Sequence, residues 1–171
     1  MVSIPSYNTH IATYDPIATQ TLGSNAANIE FTSIGGNYTD LVLIVQGKAI
    51  TSDSGWRLRF NSDTGSNYSD TELYGNGSSA VSGRVTSATG VPIGWAETAN
   101  TNTVIVQIQS YANTSVFKSL LSAYSSPASY VGRIVGLWRS TSAITTITLY
   151  LNSGNNLAAG TTASLYGIKA A

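Results

Sequence analysis

Cysteine is missing from this chain, histidine occurs once, and charge of either sign is scarce. Each shortage excludes something. Without cysteine there is no disulfide, no thiolate metal site and no thiol nucleophile, so the fold must hold on burial and hydrogen bonding alone. Asp, Glu, Lys and Arg supply 9% of the 171 residues, against a usual share of about 25%. Lys plus Arg number 8 and Asp plus Glu number 8, so the net charge is zero. A chain with no basic excess cannot release counterions from a phosphate backbone, which argues against nucleic acid as a partner. Long apolar runs are absent too: none reaches the ~18 residues of a membrane-spanning helix. The residues after Met1 carry neither a basic n-region nor an apolar h-region. The expectation is no membrane partner, no secretory leader, and folding in a cytoplasm.

Catalytic chemistry is equally thin. The lone histidine, His10, lies near the N-terminus, and G-x-S-x-G, G-x-x-x-x-G-K-[ST] and H-E-x-x-H are all absent. A Ser/His/Asp site would have to recruit His10, and a pair of glycosidase carboxylates would have to come from eight acids placed mostly in turns. The sequence therefore reads as a non-enzyme with no cofactor.

What fills the space is hydroxyl and amide: 24 Ser, 21 Thr and 13 Asn. Such a surface hydrogen-bonds without charges to desolvate, which suits close packing against other protein. Zero net charge favours association in the same direction. Helical periodicity is almost absent, while Thr, Val, Ile and Tyr recur between Gly, Asn and Ser clusters spaced by roughly ten residues, the pattern of a sandwich or barrel.

The clearest strand is 56–60, with Trp56, Leu58 and Phe60 on one face and Arg57 and Arg59 on the other. Segment 41–46 is apolar on both faces, as a covered central strand would be. In 103–110, Val104, Val106 and Ile108 alternate with Gln107 and Gln109. Segment 116–124 has Phe117 and Leu121 as its expected anchors. Segment 131–139 sets Val131, Arg133, Val135, Leu137 and Arg139 against Ile134, Gly136 and Trp138. Segments 144–151 and 161–168 close the domain, and Ile29 and Phe31 mark an early strand. Eight or nine strands result, with 75–101 read as a long end loop carrying at most a short strand near Val91. The expected fold is all-β: an antiparallel sandwich of jelly-roll type, with a carbohydrate-module-like sandwich of other topology as the alternative.

Residues 1–20 stand apart from the expected β domain at 21–171. Val2, Ile4, Tyr7, Ile11, Tyr14 and Ile17 are apolar, interrupted by Pro5 and Pro16. They read as an arm docking on its own subunit or a neighbour, or else as a frayed first strand. Trp95, with Glu97 and Asn100, fits loop packing, a subunit contact or a ligand platform. Asn61, Asp63 and, at position twelve, Glu72 outline a calcium loop. Gly65 falls one place early for that pattern, and the competing reading is a turn in which Asp63 and Asn67 bond backbone and Gly65 takes a positive φ. The pairs Arg57/Arg59 and Arg133/Arg139 are placed on outward or interface faces.

A set of short segments carries a family likeness: 12–18 (ATYDPIA), 21–24 (TLGS), 34–41 (IGGNYTDL), 59–68 (RFNSDTGSNY), 73–77 (LYGNG), 111–114 (YANT), 136–141 (GLWRST) and 165–168 (LYGI). Each is weak alone. As a set, spanning most of the chain from Ala12, it resembles small structural proteins of tailed bacteriophages. The resemblance implies a virion surface protein with a jelly-roll or related sandwich, often a homotrimer, found as head decoration (cement) protein or tail-fibre module. It carries over no catalytic residue. With a short arm and no expected coiled-coil shaft, the favoured expectation is a decoration protein that binds the major capsid protein on the outside of the head as a trimer, assembled in the host cytoplasm. The alternative is a tail-fibre or receptor-binding module recognising host glycan.

Overall fold

The computed structural model describes residues 14–169. Among them are twelve strands: β1 (Asp15–Thr21), β2 (Asn28–Phe31), β3 (Asp40–Gly47), β4 (Ser54–Phe60), β5 (Tyr68–Gly75), β6 (Ala80–Ala88), β7 (Val91–Ala96), β8 (Asn102–Gln109), β9 (Lys118–Ser126), β10 (Tyr130–Trp138), β11 (Ile147–Leu151) and β12 (Thr162–Ile168). They make two antiparallel sheets, one of eight strands in the order β1-β12-β3-β8-β9-β10-β5-β6, the other of four in the order β2-β11-β4-β7.

The two sheets share one core. Leu41, Leu43 and Val45 of β3 and Val104, Val106 and Ile108 of β8 meet Trp56, Leu58 and Phe60 of β4 and Ile147, Leu149 and Leu151 of β11. Period-2 alternation puts each of these triplets on a single face. Strand β7 rests on β9 and β10. That close approach depends on Gly136, where a Cβ would sit 2.3 Å from Val91 Cγ2 and 3.0 Å from Leu120. At the far end, Tyr68 and Trp138 stack at 16° with Phe60 tilted against both. The Tyr68 hydroxyl is held by Phe60 N at 3.0 Å.

Twelve strands exceed the expected eight or nine. Most of the surplus lies in 68–96. There β5 is a strand the sequence reading did not include, β6 runs through the stretch read as an end loop, and the short strand expected near Val91 is β7. The Gly, Ser and Thr that suggested a loop belong to β6, a sheet-edge strand exposed along most of its length, where water covers one side and apolar residues are not required. The expected anchors of β9 are also corrected. Phe117 is 51% and Leu121 40% exposed, whereas Lys118, Leu120, Ser122 and Tyr124 point inward. Lys118 takes the place of an apolar anchor because its Nζ donates to three carbonyls, Asn113 (2.5 Å), Val116 (2.7 Å) and Thr141 (3.1 Å).

The segment read as an arm is divided. Val2, Ile4, Tyr7, Ile11 and His10 lie outside the described residues. From Asp15 onward the chain is strand β1, paired with β12. Thr19 Oγ1 donates to Ser164 Oγ at 2.9 Å, Lys169 pairs with Asp15 at 2.9 Å, and Tyr14 meets Tyr166 edge-on at 6.2 Å. Ile17 packs on the core of its own subunit.

Candidate functional site

Two surfaces stand out once the strands are in register. The first is the outer face of the eight-stranded sheet, over β8, β9, β10 and β5. Cross-strand pairing lays out rows: Ile105, Ala123, Arg133 and Leu73 in one, Gln107, Leu121, Val135 and Thr71 in the next, Thr103, Ser125, Val131 and Gly75 on one flank. Val131 is 66% exposed, Leu73 57%, Val135 53%, Ile105 43% and Leu121 40%. Five large aliphatic side chains on one continuous sheet face form a contiguous apolar patch, and such patches mark contact surfaces. Arg133 sits among them beside a shallow depression of about 250 Å³ that Ile105, Leu121 and Val135 also line. The rest of the rows is Gln107, Thr71, Thr103, Ser125, Ala123 and Gly75.

The second surface is a cleft at the seam between the sheets. Strand β7 is the edge of the small sheet, and beyond β10 the large sheet continues as β5 and β6. The inner face of this overhang meets β7 only at its margin, leaving a cleft of about 190 Å³. Asp70 and Glu72 of β5 form one wall, Pro92 and Trp95 of β7 another, Tyr124 and Ile134 the floor, and Arg57 reaches in from β4. Trp95 is braced edge-on by Tyr130 (5.6 Å, 85°), itself braced edge-on by Tyr74 (5.2 Å, 82°).

The polar groups of this cleft are under-satisfied. Asp70 is 6% exposed. Among the described residues neither its Oδ1 nor Arg57 Nε has a hydrogen-bond partner, although both are buried. Burial pushes the Asp70 carboxyl up to about 6, with Glu72 adding to the rise and Arg57 opposing it. Arg57 is anchored at its other end, Nη1 donating to Gly90 O at 3.0 Å, and Arg59 Nε donates to Thr89 O at 2.9 Å while its guanidinium lies 4.4 Å over the Tyr150 ring. Arg57 and Asn152 also line a neighbouring depression of about 380 Å³ on the outer face of the small sheet, so the two hollows adjoin.

The trio Trp95, Glu97 and Asn100 is split. Trp95 lines the cleft. Glu97 is 2% exposed and turned inward, accepting from Ser126 Oγ, from Ala128 N at 3.1 Å and from Asn100 Nδ2 at 2.8 Å. Burial raises its carboxyl, but hydrogen bonds from Ser126, Asn100, Ser129 and Ala128 outweigh that and leave it below the usual carboxylate range. Glu97 thus ties the loop after β7 to the β9–β10 turn, with both of its carboxylate oxygens engaged.

The outlined calcium loop does not close. Asn61 Oδ1 accepts from Thr145 N (2.8 Å) and Thr146 N (3.1 Å). Asp63 accepts from Gly65 N (2.8 Å), Asn67 Nδ2 (2.9 Å) and Trp138 Nε1 (2.7 Å). Glu72 faces the seam cleft instead. Among the described residues no three acidic or histidine side chains gather as a metal site. The turn differs in detail from expectation: the positive φ values fall on Asn61 (51°) and Ser62 (56°), not on Gly65. A Cβ at Gly65 would sit 2.8 Å from Asn67 Nδ2, the end of an exposed side chain.

Arg133 and Arg139 do not act as a pair: Arg133 is on the outer face, while Arg139 donates to Ser66 O at 2.5 Å. The seam cleft was hidden from the sequence because Asp70, Glu72, Arg57 and Trp95 sit on three strands. The one local signal was the alternation of Asp70, Glu72 and Tyr74, which places all three on one face of β5. No protein-family model matches this sequence, and no curated protein matches it.

Proposed function

We propose that this chain is a structural subunit of a tailed-bacteriophage particle, a decoration protein that assembles with copies of itself as a trimer and coats the capsid. The observation that carries the assembly half of this reading is the outer face of the eight-stranded sheet. A patch of Leu73, Ile105, Leu121, Val131 and Val135 in a field of Gln, Ser and Thr has one formal charge at its centre, Arg133. A partner for it needs a matching neutral surface, and a chain with 9% charged residues is itself such a partner. The particle half rests on the set of short motifs described above.

The connectivity supports a jelly-roll reading of the sandwich. Leaving out the hairpins β5–β6 and β9–β10, consecutive strands alternate between sheets at every step except β4 to β7, which are neighbours in the small sheet. The pairings are β1-β12-β3-β8 in one sheet and β2-β11-β4-β7 in the other. That is the order of two interlocked Greek keys of eight strands. Both inserted hairpins extend the same sheet, and three of their four strands carry the apolar patch.

Light scattering on the purified chain tests assembly, and imaging of particles carrying a labelled copy tests location. A trimer in solution and label spread over the head shell are expected. A monomer at micromolar concentration with an unbound outer face removes the assembly reading; label confined to the tail tip replaces the decoration reading with the receptor-binding one.

A further inference from the structure

We propose that the seam cleft between β7 and β5 binds one neutral pyranose unit of a glycan, with the Asp70 carboxylate accepting from a ring hydroxyl and the Arg57 guanidinium donating to another. The inference stands apart from the assembly reading, because the cleft lies on the inner side of the sheet whose outer face carries the patch.

Three features select this ligand class. The first is unmet demand of both signs at one place. Asp70 offers a buried acceptor and Arg57 a buried donor, neither satisfied at Oδ1 and Nε among the described residues. A hydroxyl both donates and accepts, so a polyhydroxylated ring answers both groups at once. Buried polar groups left unpaired are costly, and in a native fold they point to a missing partner.

The second feature is the apolar lining. Pro92, Trp95, Tyr124 and Ile134 give a dry wall and floor beside the polar pair, matching the mixed C–H and O–H character of a sugar ring. Trp95 is held in place by Tyr130 and Tyr74, so its ring is pre-positioned. The third is charge. With Arg57 beside Asp70 and Glu72, the cleft is poorly suited to a bare cation, and no third acidic ligand joins them. Its volume of about 190 Å³ suits one ring, and the adjoining 380 Å³ hollow past Arg57 and Asn152 leaves room for the next residue of a chain.

The test is a titration of the isotope-labelled full chain with glucose, galactose, mannose and N-acetylglucosamine, followed by amide and indole chemical shifts. Saturable shifts in the millimolar range are expected for at least one sugar, centred on Gly55, Asp70, Glu72 and the Trp95 indole. Asp70→Ala should weaken that binding about tenfold or more. Arg57→Met provides a second variant if Asp70→Ala does not fold. No saturable shift with any of the four sugars overturns the proposal. So do shifts that map away from the cleft, equal binding by a folded variant, or a response of the same amides to calcium chloride alone.

Discussion

The Asp70 carboxyl makes the sharpest prediction about stability. It is 6% exposed on the inner face of β5, with Glu72 two residues along on the same face and Arg57 across the cleft. Its ordinary value is 3.8, and burial first, then Glu72, push it up to about 6 in the folded chain. The folded state therefore holds this proton more tightly than the unfolded state. Below pH ~4 both states are protonated and Asp70 contributes nothing. As pH rises from ~4 to ~6 the unfolded chain releases the proton first, and stability falls; above ~6 the loss is complete and constant. At 1.36 kcal/mol per tenfold change, the full difference is ~3 kcal/mol. Screening by water in the cleft reduces this, and about 1–2 kcal/mol is the working expectation. Asp70→Asn keeps the shape and removes the charge. Urea unfolding, read by tryptophan fluorescence, should show the variant more stable by that amount at pH ~7.5 and equal to the native chain below pH ~4. A variant that is equally or less stable at neutral pH would refute the claim that this carboxylate is buried at a cost.

Other perturbations separate the fold from its surfaces. Val135→Glu or Leu121→Glu places a charge in the outer patch; the proposed trimer should dissociate by light scattering while unfolding free energy stays within about 0.5 kcal/mol, since both side chains lie on the exposed outer face. Gly136→Val drives a side chain into Val91 and Leu120 and should cost about 1–3 kcal/mol or more in chemical unfolding. Deleting residues 1–13 leaves β1 whole, and capsid binding should be lost if the segment docks there. Deleting residues 1–20 removes β1 and bares the β12 edge, and should lower the melting temperature and promote aggregation.

Alternation made much of the inner layer readable. Trp56, Leu58 and Phe60, and Val104, Val106 and Ile108, are buried as their spacing requires. Segment 41–46, apolar on both faces, is the interior strand β3 as expected; reading failed where a polar side chain goes inward. In β9 the sequence offers Phe117 and Leu121 as anchors, and nothing local shows that Lys118 finds three carbonyls from loops at 113, 116 and 141. Within 75–101, read as a loop, the edge strand β6 has a loop-like composition because exposure relaxes the demand for apolar residues. The cleft is a tertiary product: its acceptor, donor and aromatic wall come from β5, β4 and β7, which meet only after the small sheet has packed on the large one.

Strand β10 shows why the two surfaces arise together. Ile134, Gly136 and Trp138 face the core, yet Val131, Val135 and Leu137 opposite them are apolar too. A one-residue slip would exchange the faces. What fixes the register is size: only the Gly136 face lets β7 approach, and a Cβ at Gly132 would sit 2.6 Å from the Tyr124 ring. The two glycines therefore go inward, where the second sheet and Tyr124 press, and Val131 and Val135 are left outside. Drawing β7 onto β9 and β10 in this way also leaves β5 and β6 overhanging, with Asp70 and Glu72 on the uncovered side. One packing constraint, the close seating of β7 on a glycine-bearing strand, thus yields both the apolar outer face and the polar seam.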